Sequence, residues 1–234
     1  MVDYFKLVNE REEQNIKLSQ RCFSQDLQKY KLSVNVLAQT LKSIEQAFKG
    51  KVLQPETKIA TVLVSSRFMV SSKCLFNMVV QGYYYDAWIV LRSLQENVFY
   101  CLCFAESNDY AKRWFKKQSE KKNELRLKEV KRVIELSSKP HVWEAYSFMS
   151  DFVHSNMPAI ARIVEFERKP KIRPPDSPKF RKDSNVLLKA FRVFNISMLL
   201  VLIETFKEEL SRKTKSVIAK FAYEEQRNLG IRKE

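Results

Sequence analysis

One of the chain's two histidines stands where it could move a proton. His154 closes the stretch Tyr146-Ser-Phe-Met-Ser-Asp-Phe-Val-His154. Tyr146, Ser150 and His154 step by four and so share a helical face; Ser147, Asp151 and His154 offer a second diagonal, by steps of four and three. A hydroxyl or carboxylate one turn back fixes the imidazole tautomer, as a general base or acid requires. The same spacing also suits a core histidine satisfied by Ser150. His141, beside Pro140 at a helix start, reads as structural.

A second constellation is Arg92 and Glu96, four residues apart in Gly82-Tyr-Tyr-Tyr-Asp-Ala-Trp-Ile-Val-Leu-Arg-Ser-Leu-Gln-Glu96. If their face is buried, the two must bond each other, because an uncompensated buried charge costs several kcal/mol. If it is exposed, they form an ordinary i,i+4 pair of about 0.3–0.5 kcal/mol. Their neighbours Ile89, Ser93 and Tyr100 do not make a polar face.

Charge supplies a third lead. The chain carries 42 Lys+Arg against 27 Asp+Glu, a formal charge of +15. Residues 112–132 hold ten basic and three acidic residues, and residues 167–182 hold seven and two, so these two stretches carry most of the excess. Concentrated positive charge suits a polyanion, with nucleic acid ahead of an anionic membrane surface; a merely solvated basic face is the plainer alternative. The candidate phosphate-gripping residues are Lys112, Arg113, Lys116, Lys117, Lys121 and Lys122, then Arg168, Lys169, Lys171 and Arg173.

Other chemistries fail on residue type. There is no Gly-rich phosphate loop, no Gly-x-Ser-x-Gly and no histidine–carboxylate spacing of the metalloprotease kind. Cys101-Leu-Cys103 is too close for a zinc knuckle, and Cys22 and Cys74 stand alone, so with their apolar neighbours the four cysteines read as reduced core thiols of a cytoplasmic protein. No metal and no cofactor is expected, and catalysis, if present, would be built from His, Arg, Glu and Tyr. The N-terminus lacks the pattern of a signal peptide, and the apolar run 196–203 is only eight residues, which argues against an integral membrane protein.

The elements that must position these residues are helical. Three glycines in 234 residues leave few turns for a sheet, and 45% hydrophobic residues can fill a core. The expected fold is all-α: one domain over residues 1–234, with about four core helices and additional N- and C-terminal helices. Residues 1–50 form a long N-terminal helix, its apolar marks running over 9–49 and stopping at Gly50. Residues 58–165 and 183–210 form the core. A helix starts near Gln54-Pro-Glu-Thr57 with Pro55 in its first turn, Gly82 breaks it, and the next helix folds back as an antiparallel hairpin. Ser107-Asn-Asp109 caps a helix to about residue 137, and residues 142–165 are helical again, bent or broken at Pro158. Residues 167–182 form an extended basic loop, because residues 168–178 hold four of the seven prolines. Asp183 or Ser184 caps the last core helix, to about 210, and 211–234 is a peripheral helical tail. No strand is expected.

The pattern Gly82…Asp86-Ala87…Leu91-Arg92-Ser93-Leu94-x-Glu96, followed by Tyr146…Ser150-x-x-Val153-His154, resembles a bacterial all-α family of uncharacterised function. It is also distantly similar to HEPN-type bundles and abortive-infection proteins, over residues 58–165. The resemblance implies an RNase of phage defence or toxin–antitoxin systems, with a dimer supplying a second copy of the site. HEPN ribonucleases carry an Arg four to six residues before the His, whereas this chain has Phe148, Met149 and Ser150 there. Arg92 would then supply the cation from a neighbouring helix and Glu96 would orient it, with His154 acting on a ribose 2′-hydroxyl. The alternatives are a non-catalytic helical module for nucleic acid or a protein partner, with Arg92–Glu96–His154 as a structural polar network, and a basic face on anionic lipid.

Overall fold

The computed structural model describes residues 3–51, 55–119, 132, 164–166, 170–172 and 178–231. Among them the chain is α-helical apart from one short hairpin. The helices are α1 (Tyr4–Phe48), α2 (Glu56–Gln81), α3 (Tyr84–Glu106), α4 (Asn108–Ser119), α5 (Pro178–Thr205) and α6 (Arg212–Asn228).

α1 begins at Tyr4, five residues before the apolar pattern suggests, because Asp3 accepts from Lys6 N (3.1 Å) and caps it. Its three-to-four spacing buries Phe23, Leu27, Tyr30, Leu37 and Ile44. The backbone leaves helical geometry at Phe23 (φ −129°, ψ 18°), which kinks the helix. Gly50, at φ +77°, takes the left-handed turn that ends the run. Pro55 sits at the N-cap of α2 rather than inside its first turn.

α2 and α3 fold back as an antiparallel hairpin around Gly82. That glycine sits at φ +92°, and a Cβ there would meet Asn15 Nδ2 at 2.5 Å. Only glycine combines the left-handed turn with so close an approach of α1. Asn15 donates to Gln81 O (3.0 Å), Glu12 bonds both Gln81 and Tyr83, and Ser19 lies 3.3 Å from the Tyr84 hydroxyl. α1 is thereby tied to the turn.

α5 runs beside α1 and α3. Phe191 stacks on Tyr30 at 3.8 Å between ring centroids and lies 6.2 Å from Phe68. Each such buried ring contributes about 1.5–3 kcal/mol of transfer free energy. Tyr30 donates to Ser72 O (2.6 Å), and burial holds its phenol well above the usual range. Asn195 donates to Ser33 O (3.0 Å), joining α5 to α1. Ser65 reaches Met198 Sδ (3.2 Å) and Cys101 Sγ (4.0 Å), where α2, α3 and α5 meet.

Four expectations need correcting. Of the cysteines expected in the core, Cys101 and Cys103 are buried, but Cys74 is exposed and Cys22 only half-buried. α5 starts at Pro178, inside the stretch expected to be an extended loop. A first-turn proline loses no hydrogen bond, so Pro178 opens the helix and neither Asp183 nor Ser184 caps it. The helix ends at Thr205, and turns lead to Ser211, which accepts from Thr214 N (3.1 Å) and caps α6. Within the proline-rich stretch, Pro170–Ile172 pairs antiparallel with Val164–Phe166, residues 164 and 165 having been expected to be helical. Proline is tolerated as the first residue of a strand, which is where Pro170 stands. α6, expected to be a peripheral tail, buries Ile218, Phe221, Ala222 and Glu225 against the body. The rest of the expected helices over 108–137 and 142–165 lies outside the described residues.

Among the described residues, two helices, Glu56–Gln81 and Ser184–Thr205, are long and apolar enough by length and composition to cross a bilayer. The continuous apolar run 196–203 understates the second, whose apolar window is 61% buried inside the bundle against 39% for the first.

Candidate functional site

Arg92 and Glu96 do share one face of α3. Arg92 Nε stands 3.3 Å from Glu96 Oε1, and their side chains are 18% and 39% exposed. The pair is neither sealed in the core nor free on the surface. Ile89, Ser93 and Tyr100 on the same side are also half-buried. Tyr146, Ser150 and His154 lie outside the described residues.

The basic stretch is described at its start. α4 buries Ala111 and rests Tyr110, Trp114 and Phe115 against the core, with Trp114 edge-on to Phe104 at 5.7 Å. That leaves Lys112 and Lys116, four apart, exposed on one side. Arg113 is held differently: its Nε is 3.1 Å from Asp109 Oδ2, and its guanidinium lies 4.9 Å from the Tyr110 ring centroid. A cleft of ≈ 530 Å³ opens between α4 and the start of α2, lined by Glu56, Ile59, Asp109, Lys112, Arg113, Phe115 and Lys116. Lys117 belongs to α4, and Lys171 sits in the second strand opposite Glu165. Lys121, Lys122, Arg168, Lys169 and Arg173 lie outside the described residues.

Asn108, read from the sequence only as part of a cap, anchors this cleft. Its Oδ1 accepts from Thr57 N (3.0 Å) and Thr57 Oγ1 (2.8 Å), and its Nδ2 donates to Glu56 Oε2 (3.0 Å). That last bond holds the Glu56 carboxyl below its ordinary range. The cap itself is Ser107, which accepts from Asp109 N (3.2 Å).

Sequence reasoning missed the most buried ion pair among the described residues. Arg192 Nε on α5 stands 2.6 Å from Glu225 Oε2 on α6, with side chains only 3% and 6% exposed. Its two halves are 33 residues apart, so no helical periodicity signals it. Arg192, lying just before the apolar run 196–203, was the one available hint. Among the described residues, no group of three or more His, Cys, Asp or Glu could hold a metal ion.

No family model, no curated protein and no solved structure matches this chain.

Proposed function

We propose that this chain is an RNA-binding effector built on about four core helices, with α4 as a phosphate-gripping face. The observation that carries the reading is the exposed pair Lys112 and Lys116, set beside Arg113 and Phe115 over the cleft against α2. Lysines present point charges to phosphate oxygens, and an aromatic ring at the same edge offers a stacking surface for an unpaired base. The basic stretches that follow in the sequence, 112–132 and 167–182, add most of the chain's excess positive charge to this reading. α2 and α5 are read as core helices of a cytoplasmic protein.

The reading goes one step further at Arg92. Its half-buried guanidinium, held by Glu96, suits the stabilisation of a phosphorane, with His154 as the proton-transferring partner in metal-independent RNA cleavage. The competing reading takes Arg92–Glu96 as architecture and the protein as a binding module.

Fluorescence anisotropy with a single-stranded RNA, titrated across salt, tests the binding. Wild type is expected to bind with a steep salt slope. Lys112→Glu with Lys116→Glu should weaken binding and lower the slope by about 0.7 per lost phosphate contact. Cleavage of the same RNA in EDTA, compared among wild type, Arg92→Ala and His154→Ala, tests the chemistry. Binding without cleavage leaves the module reading standing. No salt-dependent binding removes both.

A further inference from the structure

The cleft between α4 and α2 has one wall from each helix. Glu56 and Ile59 stand three apart on the first turn of α2, so they share a face. Lys112, Phe115 and Lys116 share a face of α4 by steps of three and four. Phe115 is half-buried and held edge-on to Trp114 at 5.2 Å between ring centroids, and Trp114 packs on the core. Ile59, also half-buried, lines the cleft from the other side. The volume of ≈ 530 Å³ lies within the range of small-ligand sites.

Two carboxylates line this cleft, and they are held differently. Asp109 is matched by Arg113, with 3.1 Å between Oδ2 and Nε. Glu56 is held by neutral donors, Asn108 Nδ2 at 3.0 Å and its own backbone N–H. Asn108 is itself locked by Thr57 through two bonds. Together with the nearby Lys112 charge, these bonds keep the Glu56 carboxyl ionised at neutral pH. A carboxylate accepts at roughly four lone-pair positions and donates nothing, so about two remain for a ligand. Such a group repels phosphate and attracts only what donates to it.

Among the four RNA bases, guanine alone presents two adjacent N–H donors, N1–H and N2–H, on its Watson–Crick edge. Adenine and cytosine set an acceptor ring nitrogen beside their amino group, and uracil flanks its single N–H with two carbonyls. We propose that the cleft takes an unpaired guanine. Glu56 accepts from N1–H and N2–H, the base lies between Phe115 and Ile59, and Lys112 and Lys116 meet the flanking phosphates. Adenine in the same place sets a lone pair against the carboxylate and leaves an acceptor unmet, which rejects it more strongly than a missing apolar contact would. This inference rests on the RNA reading and adds to it which base the α4 face selects.

Fluorescence anisotropy with four single-stranded RNAs tests it, each a uridine tract with one G, A, C or U at its centre. Helicity and melting check that the variant is folded. Wild type is expected to bind the G strand about ten- to a hundredfold more tightly than the A strand. Inosine, which keeps N1–H and lacks the N2 amino group, should fall between the two. Glu56→Gln loses the charge and gains a donor, and should bring the G strand down to the level of the A strand. The inosine arm needs no variant, so it decides even where Glu56→Gln fails to fold. Equal, salt-dependent binding of all four strands by wild type overturns the inference and leaves the RNA reading standing. A G preference that survives Glu56→Gln, or inosine bound as tightly as G, puts the discrimination elsewhere and overturns it as well. No salt-dependent binding of any strand overturns both.

Discussion

Two arginine–glutamate pairs divide the labour in this molecule. Arg92 and Glu96 sit on one helix, one turn apart, with 18% and 39% of their side chains in solvent. Arg192 and Glu225 come from α5 and α6, lie 2.6 Å apart, and are almost sealed at 3% and 6%. The first pair is made within α3 itself, one turn apart. The second exists only when α6 is docked in one register on α5. Its charges paid a desolvation cost that only the partner offsets. The lesson is that spacing along one helix finds pairs that are easy to make, whereas pairs that define a fold are made between helices.

The largest expected effect breaks the sealed pair on one side. Glu225→Ala strands the Arg192 guanidinium, whose Nη2 is already buried without a hydrogen-bond partner among the described residues. The expected loss is about 3–5 kcal/mol, read as a lower urea midpoint. Arg192→Met with Glu225→Leu removes both charges and keeps the volume, and should recover most of that loss. A double variant as unstable as the single one would mean that the pair is not what holds α6.

Next in size is the neutral counterpart of that pair. Asn195 donates to Ser33 O (3.0 Å) and also bonds the Ser33 hydroxyl, so Asn195→Leu leaves buried acceptors unmet on α1. The expected cost is about 1–3 kcal/mol by the same urea titration, below that of Glu225→Ala because no charge is stranded. If the two substitutions cost the same, the ion pair adds nothing beyond a hydrogen bond and the contrast with Arg92–Glu96 loses its meaning.

The α2–α3–α5 seam, closed by Ser65, Cys101 and Met198 without charge, gives a pH control. Burial pushes the Cys101 thiol from its ordinary 9.0 up to about 12. A raised folded value means that the unfolded chain ionises first. Stability from this group is therefore complete below about pH 9 and drains away as pH rises toward 12. The Tyr30 phenol, raised from 10.0 by burial, adds a decline in the same direction. Cys101→Ala should flatten the start of this alkaline decline in a melting series. In the native protein a thiol reagent at pH 8 should label the exposed Cys74 and spare the buried Cys101 and Cys103.

How much of this was legible beforehand follows from which contacts are local. The helical class, the hairpin at Gly82, the stop at Gly50 and the shared face of Arg92 and Glu96 all rest on spacings of a few residues, and the structure has them. The start of α5 was missed because proline density was read as a break, although a helix accepts proline at its first turn. The burial of α6 was missed because its mean composition is polar while one stripe, Ile218, Phe221 and Ala222, is not. Asn108 looked like a cap because only folding brings it to Thr57 and Glu56. The basic stretch was legible as charge. Which of its lysines face a cleft was not, because that depends on how α4 lies on α2.

The smallest expected effect on stability belongs to Glu96→Ala. An i,i+4 pair with one side chain 39% exposed is itself worth only about 0.3–0.5 kcal/mol, roughly a tenth of the Glu225 effect, and that is the cost expected of losing it. That near-silence makes the position informative about function. If Arg92 serves the RNA reaction, Glu96 fixes where the guanidinium points, and Glu96→Ala should lower cleavage while leaving the urea midpoint and RNA affinity almost unchanged. Glu96→Gln keeps one oxygen acceptor for Arg92 and should restore part of the rate. A variant that loses several kcal/mol instead would place Arg92–Glu96 with Arg192–Glu225 as a second helix-locking pair, and the half-exposed carboxylate would then be held by more than its neighbour one turn back.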